Sequence, residues 1–397
     1  MNIALIFAAV AALNTANLQP ILDEVRTEQD IPGVSVVVAQ RGKILFAGAS
    51  GMADLETRRA MTADTVLYAG SLSKLVTAVL TLQLVEQGKL SLDDPVDGIA
   101  VASKQQHDVV SVRHLLTHSS GLDREGNFNY WFNAKFPDRT ALARYLAGTD
   151  LHSQPGTAVR YSNIGYAALG PVIEDASGQS YDDAVASRIF RPLGMNASGT
   201  LDPGPELAAG YSPRNAVIPN EERPFAGLGH YVGERRIREY HNANAMTPAF
   251  GVFTSARDLS HLAQFLLGYG GDEVLSDAMR RQMLTRQAGT RGFGIRLGKY
   301  RGRRVARHGG WFAAHQSHLL LDLQSGTSVV AMSNGDGASP GKIAERLLDA
   351  VLNDQSRIGS SRTRTPVAAK TALPIAGATA ISGGSPSPVG NSVLSMN

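Results

Sequence analysis

A serine and a lysine three residues apart, Ser71 and Lys74, form the pair best suited to nucleophilic chemistry. Apolar residues recur at three- and four-residue intervals from Leu72, which predicts a buried amphipathic helix that stops at Gly88. At that spacing the hydroxyl and the amine share one helical face, within hydrogen-bond reach. A partly desolvated lysine favours its neutral form, and a helix N-terminus favours negative charge near the serine. The pattern therefore predicts a nucleophile, Ser71, with Lys74 as its base.

A second serine, Ser339, begins another S-x-x-K pattern and stands in the middle of a G-x-S-x-G pattern at 337–341. The second pattern is typical of a nucleophile at a strand-to-helix turn. Two objections count against it. Pro340 has no N–H to serve as the oxyanion donor, and no triad histidine follows, since the last histidine is His318. We predict instead that Ser339 caps a helix whose first residue is Pro340.

Two further motifs carry groups that could assist a nucleophile. Tyr161 and Asn163 follow a Pro-Gly breaker and precede a helical run, which predicts a loop position, and a tyrosine can relay protons. The other motif reads His308, Gly309, Gly310 and Trp311. It ends a predicted strand, where paired glycines let a ligand approach backbone N–H groups. Each motif alone has an ordinary alternative: a half-buried tyrosine with a satisfied hydroxyl, and a turn.

These motifs depend on a sheet built from both ends of the chain. Strands are predicted at 34–39, 44–49, 305–308, 318–323 and 327–333. Helices are predicted at 18–29, 112–116, 140–146, 165–176, 181–190, 256–267 and 341–353. Strands at both ends and helices between them predict an α+β fold. We expect a sheet domain of 17–60 and 291–354, interrupted by a mainly helical domain, 61–290, with the helix of Ser71 at the seam. The loop-rich stretch 202–248 is a candidate wall or lid over the site.

Composition narrows the classes of function. The 397 residues are 43% hydrophobic and 18% charged, enough for a large core, and the net charge of +3 does not indicate nucleic-acid binding. The absence of cysteine excludes disulfides, thiolate nucleophiles and cysteine metal sites. His114 and His118 have the spacing of one helical face, but Leu115 stands where a zinc protease has glutamate. We therefore predict no metal.

Both termini look distinct from the globular part. Residues 1–16 contain a short apolar run like that of a signal peptide, although no basic residue precedes it. The run favours export to the periplasm or the medium over the alternative, a packed N-terminal helix in a cytoplasmic protein. No later segment has about 18 uninterrupted apolar residues, so no membrane span is predicted. Residues 355–397 are rich in Ser, Thr, Gly, Pro and Ala, which predicts a disordered tail.

Taken together the motifs resemble those of the class C β-lactamases and penicillin-binding-protein-like serine hydrolases. The resemblance is carried, in this order, by Ser71-x-x-Lys74, Tyr161-x-Asn163 and His308-x-Gly310. It extends over roughly 18–353. It implies a β-lactamase/transpeptidase-like fold, with an antiparallel five-stranded sheet covered by helices plus a helical domain. It also implies acyl-enzyme chemistry on a small-molecule acyl substrate, without a cofactor.

The resemblance implies a role for each residue of the first two motifs. Ser71 would be the acylated nucleophile and Lys74 would accept its proton. Tyr161 would act as general base or acid and pass a proton to the leaving group, while Asn163 would hold the substrate and Lys74.

The third motif would complete the site. Gly309 and Gly310 would form the strand edge beside the substrate. Backbone N–H groups of Ser71 and Trp311 would form the oxyanion hole. His308 stands where β-lactamases of this family usually carry lysine, and this pattern looks more like that of the family's esterases and D-amino-acid peptidases.

These observations favour a serine hydrolase, an esterase or amidase/D-amino-acid peptidase acting on small acyl substrates. The alternatives are a class C-like β-lactamase or D-alanyl-D-alanine carboxypeptidase, and a penicillin-binding receptor that stays acylated. Two side features stay open in the sequence. Trp131 either lines the pocket or packs in the core. Arg303, Arg304 and Arg307 either attract an acidic substrate or form a solvated strand face.

Overall fold

The computed structural model describes residues 18–99, 109–213, 231–232, 235–238 and 242–362. The predicted signal peptide lies outside these residues, as do much of the predicted lid and the tail from 363 onward. The last helix, predicted to end at 353, runs to Arg362 and so passes the predicted start of the tail. Within the described residues, no helix is long and apolar enough to cross a membrane.

The described part of the chain contains twelve strands, numbered in chain order. They are β1 (Gly33–Gln40), β2 (Lys43–Asp54), β3 (Arg59–Ala60), β4 (Leu67–Tyr68), β5 (Gly210–Pro213), β6 (Tyr231–Val232), β7 (Arg235–Arg238), β8 (Phe253–Thr254), β9 (Arg296–Tyr300), β10 (Arg303–Phe312), β11 (His315–Asp322) and β12 (Thr327–Ser333). The main sheet is antiparallel, in the order β3-β2-β1-β12-β11-β10-β9, while β4 pairs with β8 and β5-β7-β6 form a third sheet.

The main sheet has seven strands, so the expected number of five is corrected. All five predicted strands are present, as β1, β2, β10, β11 and β12. The two additional strands lie at the edges of the sheet, where the sequence carries little strand signal. β3 has two residues, and β9 is the mostly exposed run Arg-Leu-Gly-Lys-Tyr, without an alternation of apolar side chains.

The two faces of the sheet contribute to two different hydrophobic clusters. Val36 and Val329 pack in one cluster with Leu22 of the first helix and with Leu347 of the last helix. Val37 belongs to the other, larger cluster, which contains the buried helices of the middle of the chain. Successive side chains of a strand point to opposite faces, so the central strands are covered by helices on both sides.

Eleven helices occur in the described residues. They are α1 (Leu18–Glu28), α2 (Ser73–Glu86), α3 (Val112–Leu116), α4 (Tyr130–Asn133), α5 (Arg139–Ala147), α6 (Asn163–Ser177), α7 (Tyr181–Val185), α8 (Thr247–Phe250), α9 (Ala256–Leu266), α10 (Asp277–Met283) and α11 (Pro340–Arg362). The predicted helix 181–190 divides into α7 and a π-helical turn, Ala186–Phe190.

Helix α2 is buried on all sides rather than amphipathic, which corrects the expectation from its sequence. Every residue from Ser73 to Leu84 is buried. The polar positions that suggested an exposed face include threonines whose hydroxyls bond inside the core. Thr77 Oγ1 donates to the Pro248 carbonyl at 2.7 Å, and Thr81 Oγ1 donates to the Thr77 carbonyl at 2.8 Å. Helices α6 and α8 pack against α2 and enclose its first turn.

Candidate active site

Ser71 lies in a 3₁₀ turn, Gly70–Leu72, that leads directly into α2. The side chain of Ser73 fixes this turn, because its Oγ donates to the Gly70 carbonyl at 2.7 Å and accepts from Val252 N–H at 3.0 Å. Ser71 itself is only partly buried. The turn therefore holds the hydroxyl at the start of a buried helix, where the N-terminal end of the backbone favours negative charge.

Lys74 lies within reach of the Ser71 hydroxyl, as the spacing predicted. Its Nζ is 3.3 Å from Ser71 Oγ, and it donates to Asn163 Oδ1 and to the Ala249 carbonyl, both at 2.7 Å. The side chain is fully buried. Burial lowers the pKa of the Lys74 amine well below its usual value, and the charge of Glu125 opposes that shift. These surroundings favour the neutral form of the amine more than water does.

Tyr161 also lies beside Ser71, just before α6. A hydrogen bond with the Ser71 side chain lowers the pKa of the Tyr161 hydroxyl, but burial dominates and raises that pKa to about 12. The ring stacks on the buried imidazole of His118, with centroids 4.4 Å apart. The ring position is therefore fixed by packing, and the hydroxyl is in its protonated form near neutral pH.

Asn163 is held by a carboxylate that the sequence did not indicate. Its Nδ2 donates to Glu125 Oε1 at 2.7 Å, while its Oδ1 accepts from Lys74. Glu125 Oε2 also accepts a hydrogen bond from the Tyr130 hydroxyl. The amide orientation is thus set from both ends, with the oxygen toward the lysine. No motif surrounds Glu125, and only the folded loop brings it to the site.

The start of α2 and the edge of β10 approach each other with no side chain between them. A Cβ on Gly70 would overlap Trp311 N, and a Cβ on Gly310 would lie 3.0 Å from Ser71 N. Ser317 Oγ joins the two segments from the neighbouring strand by donating to the Ala69 carbonyl at 2.6 Å. The backbone nitrogens of Ser71 and Trp311 therefore come together at the mouth of the site, as the glycines at 309 and 310 suggested.

His308 carries no charge near neutral pH. Its Nδ1 donates to the Gly309 carbonyl at 2.7 Å, and its Nε2 has no hydrogen-bond partner among the described residues. Burial, and then the charge of Lys74, lower the pKa of the His308 imidazole to about 3. A lysine at this position would supply a fixed positive charge, so the substitution changes the electrostatics of the site.

Ser71 opens onto two cavities of different chemistry. One, of about 550 Å³, contains His308, Gly309 and four arginines: Arg124, Arg291, Arg296 and Arg307. The other, of about 590 Å³, combines the rings of Phe128, Trp131, Phe250 and Trp311 with charged side chains of both signs, those of Asp123, Arg124, Glu125 and Arg160. Trp131 therefore both lines a cavity and packs, since its ring lies 5.4 Å from that of Trp311. A substrate whose two ends differ in polarity fits this arrangement.

Other residues singled out in the sequence have structural positions. His114 and His118 have separate hydrogen-bond partners. His114 Nδ1 accepts from Ser111 N–H at the start of α3. His118 Nδ1 accepts from Ser162 N–H. Helix α11 begins at Pro340, which leaves Ser339 at the cap position. Arg303 forms an ion pair with the buried carboxylate of Asp322 at 2.6 Å.

Two of the remaining arginines near the third motif differ in their surroundings. Arg307 lies 3.1 Å from Glu345 and lines the arginine-rich cavity. Arg304 is exposed on the same strand. The cluster at 303–307 thus combines ion pairs on the sheet surface with one side chain that reaches the site.

The antiparallel sheet and its covering helices form a β-lactamase/transpeptidase-like fold, and the chain is a serine hydrolase of that class. It belongs to the family described as Beta-lactamase, which matches residues 17–353. The resemblance inferred from the three motifs is therefore confirmed at the level of the family.

Individual relatives differ in the chemistry that their names describe. The chain is 38% identical over 193 residues to Penicillin-binding protein 4 of Amycolatopsis lactamdurans, covering 47% of this chain and 49% of that protein. It is 29% identical over 383 residues to Esterase EstB of Burkholderia gladioli, covering 87% of this chain and 97% of that protein. The solved D-amino acid amidase from Ochrobactrum anthropi SV3 is similar with a TM-score of 0.75 and 25% identity, over 85% of this chain and 99% of that one. The match to the first relative spans about half of its length.

Proposed function

We propose that the protein hydrolyses esters or amides of small acyl groups through an acyl-enzyme on Ser71. The observation that carries the proposal is the position of Lys74 Nζ, buried between Ser71 Oγ, Asn163 Oδ1 and the Ala249 carbonyl. A neutral amine has two N–H groups, which the amide and the carbonyl accept, and one lone pair, which is left for the serine proton. Lys74 is therefore placed to be the general base.

Acylation starts when Ser71 Oγ attacks the substrate carbonyl carbon and its proton passes to Lys74 Nζ. The carbonyl oxygen becomes negative and accepts hydrogen bonds from the backbone N–H groups of Ser71 and Trp311. Tyr161, protonated near neutral pH, then gives its proton to the leaving oxygen or nitrogen as that bond breaks. Lys74 returns a proton to Tyr161, so the enzyme regains its starting protonation and the acyl group stays on Ser71.

Deacylation uses the same groups with water in place of the serine. Water attacks the acyl carbon and gives its proton to the base, and Ser71 Oγ leaves as the protonated hydroxyl. Asn163, fixed by Glu125, keeps Lys74 Nζ directed at the serine through both steps. The products are a carboxylic acid and the free enzyme.

Small uncharged acyl substrates are the class that we favour. Four rings in the larger cavity beside Ser71 offer contacts to an apolar group, and His308 provides no fixed charge for a substrate carboxylate. A charge-assisted hydrogen bond is worth roughly 1.5–3 kcal/mol, so its absence weakens carboxylate substrates by about ten- to a hundredfold. The similarity to an esterase and to a D-amino acid amidase supports this choice.

One observation favours a second function, hydrolysis of β-lactams or D-alanyl peptides. Four arginines line the cavity next to His308, and they could bind the carboxylate of such a substrate in place of a lysine. The similarity of about half of this chain to a penicillin-binding protein agrees with this alternative. In that case the site would discriminate by charge rather than by apolar contact.

Steady-state kinetics with three substrate types separates these functions. We expect kcat/KM for a short-chain aryl ester to exceed that for a chromogenic cephalosporin and for a D-alanyl peptide. If the cephalosporin is the better substrate, the esterase proposal fails and the second function takes its place. A burst of one equivalent without turnover on every substrate would instead indicate a receptor that stays acylated.

A further inference from the structure

Three basic side chains lie close to the ring of Tyr161. Lys74 Nζ lies 4.8 Å from the ring centroid, and the guanidinium carbons of Arg291 and Arg124 lie 5.6 Å and 5.8 Å from it. A cation over the face of an aromatic ring is attracted by the π electrons, and the attraction grows when the site is desolvated. A phenolate ring is richer in electrons than a phenol ring. Cations in these positions therefore favour negative charge on the tyrosine.

Two of the charged neighbours cannot act as a constant positive charge. Lys74 is the proposed base and changes its own charge during the reaction. Arg124 forms an ion pair with Glu125 at 3.1 Å, so its charge is offset by a carboxylate close to the same site. That carboxylate raises the pKa of the Tyr161 hydroxyl, whereas both arginines lower it. The two members of the pair therefore act on Tyr161 in opposite directions.

The remaining titratable neighbours are neutral near pH 7. His308 approaches the ring from β10, with centroids 6.3 Å apart, and its imidazole has a pKa of about 3. His118 stacks on the ring, and burial lowers the pKa of its imidazole as well. Tyr166, from α6, is buried and protonated, because burial raises the pKa of its hydroxyl. None of the three contributes a positive charge.

Arg291 differs from all of these groups. It precedes β9, is half-buried, and lines the cavity that contains Ser71. Within the described ranges, its guanidinium has no hydrogen bond and no carboxylate within ion-pair distance. An arginine stays protonated at any pH at which the protein is folded. Arg291 is thus a permanent charge beside Tyr161 without a compensating acid in the described part of the chain.

We propose that Arg291 is a positioning residue for catalysis, whose guanidinium stabilises negative charge on Tyr161 when the tyrosine protonates the leaving group. This inference rests on the proposed function, because the step is the protonation of the leaving group described there. The carbon–oxygen bond of the ester breaks, the Tyr161 proton goes to the leaving oxygen, and the phenolate persists until Lys74 returns a proton. Arg291 supplies the fixed charge that the neutral His308 does not.

The dependence of rate on the leaving group tests this role. A poor leaving group, such as an alkoxide, needs the proton, whereas p-nitrophenolate leaves without much assistance. We expect Arg291→Met to lower kcat/KM, which reports acylation, on alkyl esters on the order of ten- to a hundredfold, and to change kcat/KM on p-nitrophenyl esters of the same acid by about twofold or less. Arg291→Lys keeps the charge and should recover much of the loss. The matched control is Arg286→Met, an exposed arginine earlier in the same segment, which should match the wild type.

The pH profile gives a second readout that a structural role would not move. Arg291 lowers the pKa of both Lys74 and Tyr161, so its removal raises both. The acid limb of kcat/KM, where Lys74 must lose its proton, and the alkaline limb, where Tyr161 loses its proton, should both move to higher pH. A variant whose site is only loosened would have a lower maximal kcat/KM, but both limbs of its pH profile would stay at the wild-type pH.

Three outcomes would overturn the inference: equal losses for good and poor leaving groups, unmoved limbs, or Arg291→Lys no better than Arg291→Met. Failure of the proposed function looks different, because then Ser71→Ala would keep the wild-type rate on every ester. If Ser71→Ala is inactive and Arg291→Met behaves as the wild type does, only the role of Arg291 is wrong. Thermal melts of the Arg291 and Arg286 variants verify that each is folded.

Discussion

Gly70 lies directly against the backbone of Trp311. A Cβ at Gly70 would overlap the nitrogen and the carbonyl carbon of Trp311, and the backbone φ of +54° is one that other residues rarely adopt. The two N–H groups proposed for the oxyanion hole, those of Ser71 and Trp311, can approach each other only because residue 70 has no side chain.

Gly70→Ala should therefore separate the two oxyanion donors. We expect kcat on an aryl ester to fall roughly a hundredfold or more, the usual effect of losing one such donor. Gly88→Ala is the matched control, because Gly88 follows α2 with a φ of +68° and an added Cβ there meets nothing within 4 Å. Both variants carry backbone strain of roughly 1–2 kcal/mol, but only Gly70→Ala should lose activity. Equal kcat values in the two variants would contradict this account.

The two S-x-x-K patterns make opposite predictions for their serines. Ser71→Ala should abolish turnover, because the nucleophile is gone, whereas Ser339→Ala should keep nearly all of it, because Ser339 stands at the cap of α11. Intact-mass analysis after reaction with a phosphonate probe, followed by peptide mapping, locates the covalent adduct. An adduct on Ser339 would refute the assignment of the nucleophile.

Lys74 and Tyr161 should act as one proton-transfer unit. Lys74→Met and Tyr161→Phe are each expected to lower kcat on the order of a hundredfold or more, since positioned proton transfer is typically worth that much. Both replacements keep the apolar volume, and circular dichroism should show intact folds. The double variant should be little worse than the more impaired single variant, because groups that act together lose most of the rate at the first removal. Fully multiplicative losses would argue for two independent functions.

His315 should make the fold less stable in mild acid. Burial lowers the pKa of its imidazole to about 4, below the unfolded value of about 6.5, while Nδ1 accepts from Tyr68 N–H and Nε2 donates to the Ala208 carbonyl. The unfolded chain thus takes up a proton first as the pH falls. The stability linked to His315 is complete above pH 6.5 and is lost as the pH decreases toward 4.

Urea unfolding at pH 7 and pH 5 measures this loss against His315→Gln. The amide of the variant differs from the imidazole in shape and in the placement of its donor and acceptor, so the variant should be less stable than the wild type at pH 7. Because glutamine does not titrate, the difference in the free energy of unfolding should shrink by about 2 kcal/mol between pH 7 and pH 5. A difference that stays constant with pH would show that the imidazole is protonated as easily in the folded state as in the unfolded one.

Local signals in the sequence were sufficient for most of the elements. The strand predicted at 327–333 and the helix predicted at 112–116 have the observed bounds. The strand is a short apolar run that starts after Gly326 and stops before Asn334 and Gly335, whereas the helix begins directly after its cap residue, Ser111. The reach from Lys74 to Ser71 followed from helical spacing alone, since both residues belong to one turn. Such features depend on neighbours in the chain, which a single sequence displays directly.

Features that join distant parts of the chain could not be predicted in this way. Glu125 reaches Asn163, and Arg291 reaches Tyr161, across separations that no periodicity encodes. The edge strands β3 and β9 have too few apolar residues to be recognised before their partners are known. The all-round burial of α2 was likewise hidden, because threonines that look polar in sequence bond to carbonyls in the core.

The pairing of β1 with β12 has a consequence for synthesis of the chain. Val34 lies opposite Ser333, so β1 meets this partner only after the chain between them, most of the described fold, has been translated. Until then β1 and β2 present an open hydrogen-bonding edge, the kind of surface that recruits chaperones or other nascent chains. Long separations between contacting residues also slow folding. Because Trp311 lies in β10, shortly before β12, the turn of Ser71 gains its proposed oxyanion partner only after most of the described fold has been made. The proposed acylation therefore has to wait for this late segment.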